Sequence, residues 1–278
     1  MKKIVALTAV AFAIVFSGCS MAAPKIESGV VVGKMVAAYR TGAYVDVDTA
    51  KAKLTAAGFE IVGTYAPAGN GTTILYTNAA MKADGNKDLR GLAAVGRMLV
   101  DDERKQVHIA NPIYFNKAFL QEDYKHATAS ATYIALEKAF GPLKDTEDLW
   151  SFEGLAKYHF MIGMPYYKEM DIVGEGTTAE LLAKVKEAKG TTAVIKLGED
   201  RYVAFVELDR RTSGFVKKVG TQNAEILPWA VIIEGGKAKA LNAQYFIAVS
   251  YPLFTMTEFM GIATMPGAIT GNLQKIFK

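Results

Sequence analysis

One short stretch of the chain collects the residues best suited to metal chemistry. Residues 158–170 (YHFMIGMPYYKEM) contain His159, Met161, Met164 and Met170. Thioether and imidazole groups are the ligands that Cu(I) prefers, and a His/Met pair also ligates haem iron. The stretch therefore allows a copper or haem site, although haem held by a Cys-x-x-Cys-His motif is excluded because that motif is absent. Met and aromatic side chains also fill cores, and core or groove lining is their commoner use.

The other residues that could support catalysis have simpler explanations. His108 alternates with Val107 and Ile109, which predicts a position on the polar, exposed face of a strand. The carboxylates at 101–103 lie where a hairpin would turn, which predicts a solvated turn, and His126 is expected on the solvated face of a helix. The chain has three histidines and no Gly-x-Ser-x-Gly motif, which leaves little for a catalytic triad. A non-enzymatic role is therefore predicted, and an enzyme that uses scattered Asp, Glu and Tyr side chains as acids or bases is a weaker alternative.

Two stretches of the chain resemble each other. Laid over one another without a gap, residues 96–115 and 227–246 share a Val, a Glu, an Asn, a Tyr and a Phe. Each contains two apolar runs separated by a short polar turn, which is typical of a β-hairpin. Each then ends in Asn-x-x-Tyr-Phe. These aromatic residues either line a ligand groove between two halves or pack in the core: Tyr114, Phe115, Tyr245 and Phe246.

The elements around the two hairpins recur in the same order. In the first half, a strand comes first and a predicted helix over 47–57 follows it. A hairpin over 58–77, the hairpin at 96–115 and a long helical segment come next. In the second half, a capped amphipathic helix over 178–188 has the same place. The pattern predicts a β-α-β4-α order in both halves.

This order predicts an α+β fold built from two tandem β-α-β4-α repeats with antiparallel sheets. The first repeat is expected over 29–142 and the second over 158–278. Between them, residues 143–157 are acidic and polar and are interpreted as a partly helical linker.

Three stretches of the first half resemble a known bacterial family. Leu54–Val62 (LTAAGFEIV), Thr73–Asn78 and Gly96–Pro112 are similar to the family catalogued as domain of unknown function 302. The resemblance covers most of 40–140 and, more faintly, 160–278. It implies the α+β fold shared with the TATA-binding protein, a curved antiparallel sheet carrying two helices. It supplies no catalytic residues.

The N-terminus has the features of a secretory leader. A short positive region is followed by an apolar run that ends at Phe16, which is too short for a membrane span. The sequence Ser-Gly-Cys ending at Cys19 resembles the bacterial lipoprotein signal, in which the cysteine is lipidated. The leader is therefore predicted over 1–18, with cleavage after Ala22 or Ala23 as the alternative.

A lipidated Cys19 would be followed by a small, polar tether over 19–28. The predicted location is the bacterial cell envelope, with the protein facing the periplasm from the outer or the inner membrane. Cys19 is also the only cysteine, so the predicted fold has no internal disulfide and depends on its core.

Composition narrows the predicted function further. Of the 278 residues, 51% are hydrophobic and 22% are charged, which is typical of a globular protein. The formal net charge of +4 includes Lys2 and Lys3, and no basic face for nucleic acid is evident. The prediction is a membrane-anchored periplasmic lipoprotein that binds a small apolar ligand or an envelope protein. No cofactor is predicted in that case, and a copper or haem protein is the alternative.

Overall fold

The computed structural model of this chain describes residues 25–27, 30–32, 35–67 and 71–278. Cys19 and the predicted leader lie outside these residues. Residues 25–27 of the predicted tether form a short strand. In the described part of the chain, no helix has the length and apolar composition needed to cross a membrane.

The described residues form antiparallel strands and helices. The strands are β1 Lys25–Glu27, β2 Val30–Val32, β3 Met35–Ala37, β4 Tyr39–Ala43, β5 Glu60–Tyr65, β6 Gly71–Thr77, β7 Gly96–Asp101, β8 Gln106–Ala110, β9 Lys144–Asp145, β10 Leu149–Ser151, β11 Asp171–Glu175, β12 Thr191–Lys196, β13 Arg201–Val206, β14 Trp229–Glu234 and β15 Lys237–Ala240. The α-helices are α1 Val47–Ala56, α2 Ala79–Gly85, α3 Pro112–Leu120, α4 His126–Phe140, α5 Phe152–Leu155, α6 Thr178–Glu187, α7 Arg210–Ser213, α8 Val216–Val219, α9 Ala243–Ser250, α10 Met256–Met260 and α11 Met265–Ile276. Short 3₁₀ helices span Gly91–Ala94, Gln121–Asp123 and Thr221–Ile226.

Two larger sheets organise the fold. The first has the strand order β5-β6-β7-β8-β4-β9, and the second has the order β11-β15-β14-β13-β12. All of their described pairings are antiparallel, so the predicted α+β class with antiparallel sheets is confirmed. Within these sheets β4 lies between β8 and β9, and β11 lies at the edge beside β15. Apart from β9, the halves thus share a strand order, while their origin as tandem repeats stays a prediction.

The two central hairpins differ in their turns. Glu234 pairs with Lys237 across a two-residue turn in which Gly235 and Gly236 have φ values of 56° and 71°, the left-handed region that favours glycine. In the first hairpin Asp101 pairs with Gln106, so the turn is two residues longer. The gapless alignment of the two stretches therefore holds only from the second strand onward.

The carboxylates at this longer turn are not all solvated. Asp101 is 1% exposed, and its side chain accepts hydrogen bonds from the backbone N–H groups of Glu103 and Arg104. The prediction of a fully solvated turn is therefore wrong for Asp101, because this side chain closes the turn from inside.

Both Asn-x-x-Tyr-Phe segments begin helices. Asn111 accepts a hydrogen bond from the N–H of Ile113 at the start of α3, and Asn242 accepts one from the N–H of Gln244 at the start of α9. An asparagine at this position satisfies a backbone donor that the first helical turn cannot pair. The Tyr and Phe of each segment are therefore fixed on the first turn of a helix.

The segment predicted as a linker is part of the folded structure. It contributes β9, which pairs with β4, and β10, which pairs with β3. Arg40 of β4 ties this segment to α4, because its guanidinium contacts Asp145 and Glu137 at 2.7 Å each. One hydrophobic core spans both halves, and a second lies between the first sheet and helices α1 and α4. Residues 143–157 therefore help to join the two halves.

Two glycines provide opposite tests of this packing. A Cβ on Gly96 would lie 2.3 Å from Cε2 of buried Tyr76, whereas a Cβ on Gly271, inside α11, would meet no atom within 4 Å. We expect Gly96→Ala to lower the free energy of unfolding by about 1–3 kcal/mol through overpacking. Gly271→Ala should raise it by about 0.5–1 kcal/mol, because alanine favours helix interiors. Urea denaturation measures both, and a Gly96→Ala variant as stable as wild type would contradict this packing.

Candidate functional site

A cleft of about 360 Å³ lies between the first sheet and helical segments of the second half. Strands β4 and β8 contribute to one wall, and residues 146–148 line it as well. The second half contributes residues from the end of α8, from the 3₁₀ helix Thr221–Ile226 and from the segment that follows α9. Pockets that bind small molecules typically have volumes of about 300–1,000 Å³. The cleft is therefore large enough for a small ligand.

His108 of β8 is part of the cleft wall, although it is only 1% exposed. Its Nδ1 shares a hydrogen bond of 2.5 Å with Oε1 of Glu225, and its ring lies 4.7 Å from the ring of Tyr39. The predicted exposed position of His108 is wrong, because the 3₁₀ helix that carries Glu225 packs against β8. With Nδ1 engaged, Nε2 is the ring nitrogen left for a ligand.

Glu225 is buried behind His108. Burial raises the pKa of Glu225, and the positive charge and hydrogen bond of His108, followed by the charge of Arg97, act to lower it. Arg97 fixes the same segment, since its Nη1 donates to the carbonyls of Glu225, Ile226 and Pro228 at 2.8, 2.5 and 3.1 Å. The position of Glu225, and through it that of His108, is therefore set by contacts between the two halves.

Asp148 brings a second carboxylate to the cleft. Burial raises the pKa of Asp148, while the charge of His108 and hydrogen bonds with Thr146 and Asn223 lower it. Asn223 is fully buried and donates from Nδ2 to the carbonyl of Ser250 at 2.9 Å. Its Oδ1 has no hydrogen-bond partner among the described residues. The cleft thus holds a carboxylate whose ionised form is disfavoured by its surroundings.

The raised pKa of Asp148 predicts that removing its charge stabilises the folded protein. A raised folded-state pKa means that ionised Asp148 destabilises the fold at neutral pH, and that this cost disappears once the group is protonated in both the folded and the unfolded state. We expect Asp148→Asn to raise the midpoint of thermal unfolding at pH 7. The gain should shrink as pH falls through the pKa range of Asp148. Thermal unfolding followed by circular dichroism at several pH values measures this, and a loss of stability at pH 7 would contradict it.

The arrangement suits recognition of a ligand. A carboxylate that holds Nδ1 of a histidine fixes the orientation of the ring and leaves Nε2 as the nitrogen that can contact a ligand. Tyr251, also in the cleft wall, uses its hydroxyl to donate to backbone carbonyls, those of Gly220 at 2.9 Å and Asn223 at 3.2 Å. Tyr251 therefore has no donor left for a ligand, whereas His108 and Asp148 are among the polar residues of the lining that can contact one.

The four predicted groove residues lie in the core between the halves. All are buried, at 0% exposure for Tyr114, 9% for Phe115, 1% for Tyr245 and 3% for Phe246. The hydroxyl of Tyr114 donates to the carbonyl of Val249 at 2.9 Å. Phe115 and Phe246 line a cavity of about 40 Å³, which has room for a few water molecules. Binding an apolar ligand there would require these rings to separate, and the groove stays a prediction.

The predicted metal-binding stretch forms an irregular loop before β11. Nδ1 of His159 lies 2.8 Å from the backbone oxygen of Met161, and Met161 is 42% exposed. Met164 and Met170 are partly buried against the hydrophobic core. No group of three or more His, Cys, Asp or Glu side chains that could hold a metal occurs among the described residues. The copper or haem site, which relies on methionine, stays a prediction.

A second opening, of about 350 Å³, lies near β14 and β15. Its buried carboxylate, Glu234, contacts Arg201 at 3.3 Å and Lys239 at 3.0 Å and accepts a hydrogen bond from the N–H of Leu89 at 3.0 Å. Because these charged groups satisfy one another, this opening offers a ligand less than the cleft at His108.

The sequence alone did not single out Asp148 and Tyr251, which line the cleft, or Glu225, which holds His108 from behind. Glu225 and Tyr251 carry no motif, and Asp148 lies in the segment interpreted as a linker. Glu225 offers one local signal, because it is a single carboxylate among apolar residues in Asn-Ala-Glu-Ile-Leu at 223–227. A charged residue in such a context is buried only when it is paired. Comparison with models of known protein families, with curated proteins and with solved structures gave no match. The resemblance to the domain of unknown function 302 family therefore stays a prediction, and function is inferred from the cleft itself.

Proposed function

We propose that this protein is a lipid-anchored binding protein of the bacterial cell envelope, which holds a small molecule in the cleft beside His108 and Asp148. The observation that supports this proposal is the buried His108–Glu225 pair, whose histidine lines the cleft. Perturbed titratable groups in a cleft are typical of functional sites.

The buried pair is hard to explain by stability alone. Taking two ionisable groups out of water is costly, and apolar residues of similar volume at such positions are often as stabilising or more so. The pair is also placed where a ligand would need it, since His108 faces the opening and Glu225 supports it from behind. A concave cleft of about 360 Å³ fits a small molecule better than the surface of a protein partner.

Ligand binding can be tested by closing the cleft. Gln222 lines it and is partly exposed, so Gln222→Trp should fill the opening, whereas Gln274→Trp on the exposed face of α11 is a matched control. A library of small metabolites is screened by thermal shift against the three proteins. We expect compounds that stabilise wild type and Gln274→Trp but not Gln222→Trp. If every stabilising compound acts equally on Gln222→Trp, the cleft is not the binding site.

The envelope anchor follows from the leader and has its own test. The apolar run ending at Phe16 and the small residues before Cys19 support lipidation at Cys19. We expect wild-type protein to fractionate with membranes and to carry a diacylglycerol mass at its N-terminus. Cys19→Ser should lack this mass and leave the membrane fraction. Mass spectrometry of the N-terminal peptide decides the question, and an unmodified wild-type Cys19, or its removal with the leader, would contradict the anchor.

A further inference from the structure

We infer that the ligand of this cleft is an organic cation, a protonated amine that carries an apolar group; this inference rests on the proposed function. Three carboxylate residues line the cleft, namely Glu147, Asp148 and Glu258. Among the described residues that line it, none is Lys or Arg. The lining therefore holds more acidic than basic groups, three carboxylates against the single imidazole of His108.

Charges on the neighbouring segments do not cancel this bias. Lys144 pairs with Thr41 along the sheet, and Lys217 and Lys218 precede Val219, but all three lysines are exposed and none lines the cleft. Lysine side chains in water are screened over a distance of about 8–10 Å at physiological salt. Glu147 and Glu258 are exposed as well, whereas Asp148 is partly buried, so its charge is screened less than those of the lysines.

The hydrogen-bonding groups favour the same class of ligand. Carboxylates only accept hydrogen bonds, and Nε2 of His108 is the ring nitrogen that is not bound to Glu225. The hydroxyl of Tyr251 already donates to the carbonyls of Gly220 and Asn223. A ligand that supplies several donors matches this wall, and an ammonium group supplies three. An anionic ligand would meet hydrogen-bond acceptors and carboxylates of its own charge, so it should bind poorly.

The other lining residues specify an apolar part of the ligand. Phe254 and Tyr251 offer aromatic rings, and aromatic faces attract organic cations. Leu253, which is 57% exposed, and Val219 extend the apolar surface of the opening. An alkyl or aryl group on the amine would cover this surface and remove it from water. The chemistry is that of a small aliphatic or aromatic amine.

Three probes of nearly equal shape but different charge test the assignment. Purified full chain is titrated at pH 7 with 2-phenylethylammonium, with neutral 2-phenylethanol and with anionic phenylacetate, and heat is measured by calorimetry. We expect the cation to bind at least tenfold more tightly than the alcohol, and the anion not to bind. Removing the partly buried carboxylate of Asp148 should weaken binding of the cation about tenfold, the equivalent of about 1.4 kcal/mol, and removing exposed Glu147 should weaken it less.

Two variants keep the test independent of folding. Asp148→Asn removes the buried charge, and Glu147→Gln removes an exposed one that has little role in packing. Glu122→Gln, outside the cleft, is the control and should bind like wild type. Circular dichroism establishes that each variant is folded. Weaker binding by both cleft variants, with Glu122→Gln unchanged, supports the inference.

The outcomes separate this inference from the proposed function. If 2-phenylethanol or phenylacetate binds as tightly as the cation and Gln222→Trp abolishes that binding, the cation assignment is overturned while the cleft stands as a binding site. If none of the three probes binds, or if both charge variants bind the cation like wild type, the assignment is also overturned. Cation binding that survives in Gln222→Trp would overturn the inference and the cleft together.

Discussion

Replacing Arg97 with methionine is expected to lower the free energy of unfolding by about 3–5 kcal/mol. Arg97 of β7 donates to three backbone carbonyls of the second half, and its guanidinium lies 5.1 Å from the ring of Phe205 and 5.5 Å from that of Phe246. Methionine fills much of the same space but donates no hydrogen bond. The carbonyls would then lose their partner, and each such loss costs about 1–3 kcal/mol.

The guanidinium shape accounts for much of this effect. Arg97→Lys keeps the charge but not the planar fork, so it should recover only part of the loss. Arg211→Met, on the exposed surface of α7, is the control and should change stability by less than about 0.5 kcal/mol. Guanidinium chloride denaturation measures all three variants. An Arg97→Met protein within about 1 kcal/mol of wild type would mean that Arg97 does not join the halves as described.

The second large effect is expected at His108. His108→Leu leaves Glu225 buried without its partner, and removing one member of a buried pair costs about 3–5 kcal/mol. The double variant His108→Leu/Glu225→Met replaces the whole pair with apolar side chains. It should recover most of the lost stability, because the uncompensated carboxylate is gone.

The double variant also separates stability from binding. We expect it to be stable but unable to bind the ligand of the cleft, which would assign the pair to function. His159→Leu is the control, because His159 is partly exposed and contacts the backbone oxygen of Met161. It should alter the free energy of unfolding by about 0.5 kcal/mol at most. Equal destabilisation by the single and the double variants would show that Glu225 does not depend on His108.

Local signals explain why most elements were predictable. Thr177 and Glu180 form a capping box at the start of α6, close to the predicted helix start. Gly58, with a φ of 88°, ends the first helix before the hairpin of β5 and β6. The interactions that define these boundaries lie within a few residues of each other, so they can be read from the sequence.

The cleft could not be predicted in this way because its contacts are distant in sequence. His108 and Glu225 are 117 positions apart, and Arg97 bonds carbonyls 128 to 131 positions away. Alternation around His108 identifies β8 correctly, but it gives no information on what covers each face. Val107 and Ile109 face the core beneath α4, while His108 faces the second half. Both faces of the strand are therefore buried.

The most direct test of ligand binding in the cleft is to identify what the protein carries when it is purified from the cell. Wild type, Gln222→Trp and Gln274→Trp are exported, purified gently and measured by native and by denaturing mass spectrometry. We expect wild type and Gln274→Trp to carry a small-molecule mass excess that is lost on denaturation. Gln222→Trp should carry no such excess. A mass excess that Gln222→Trp retains in full would contradict binding in the cleft beside His108.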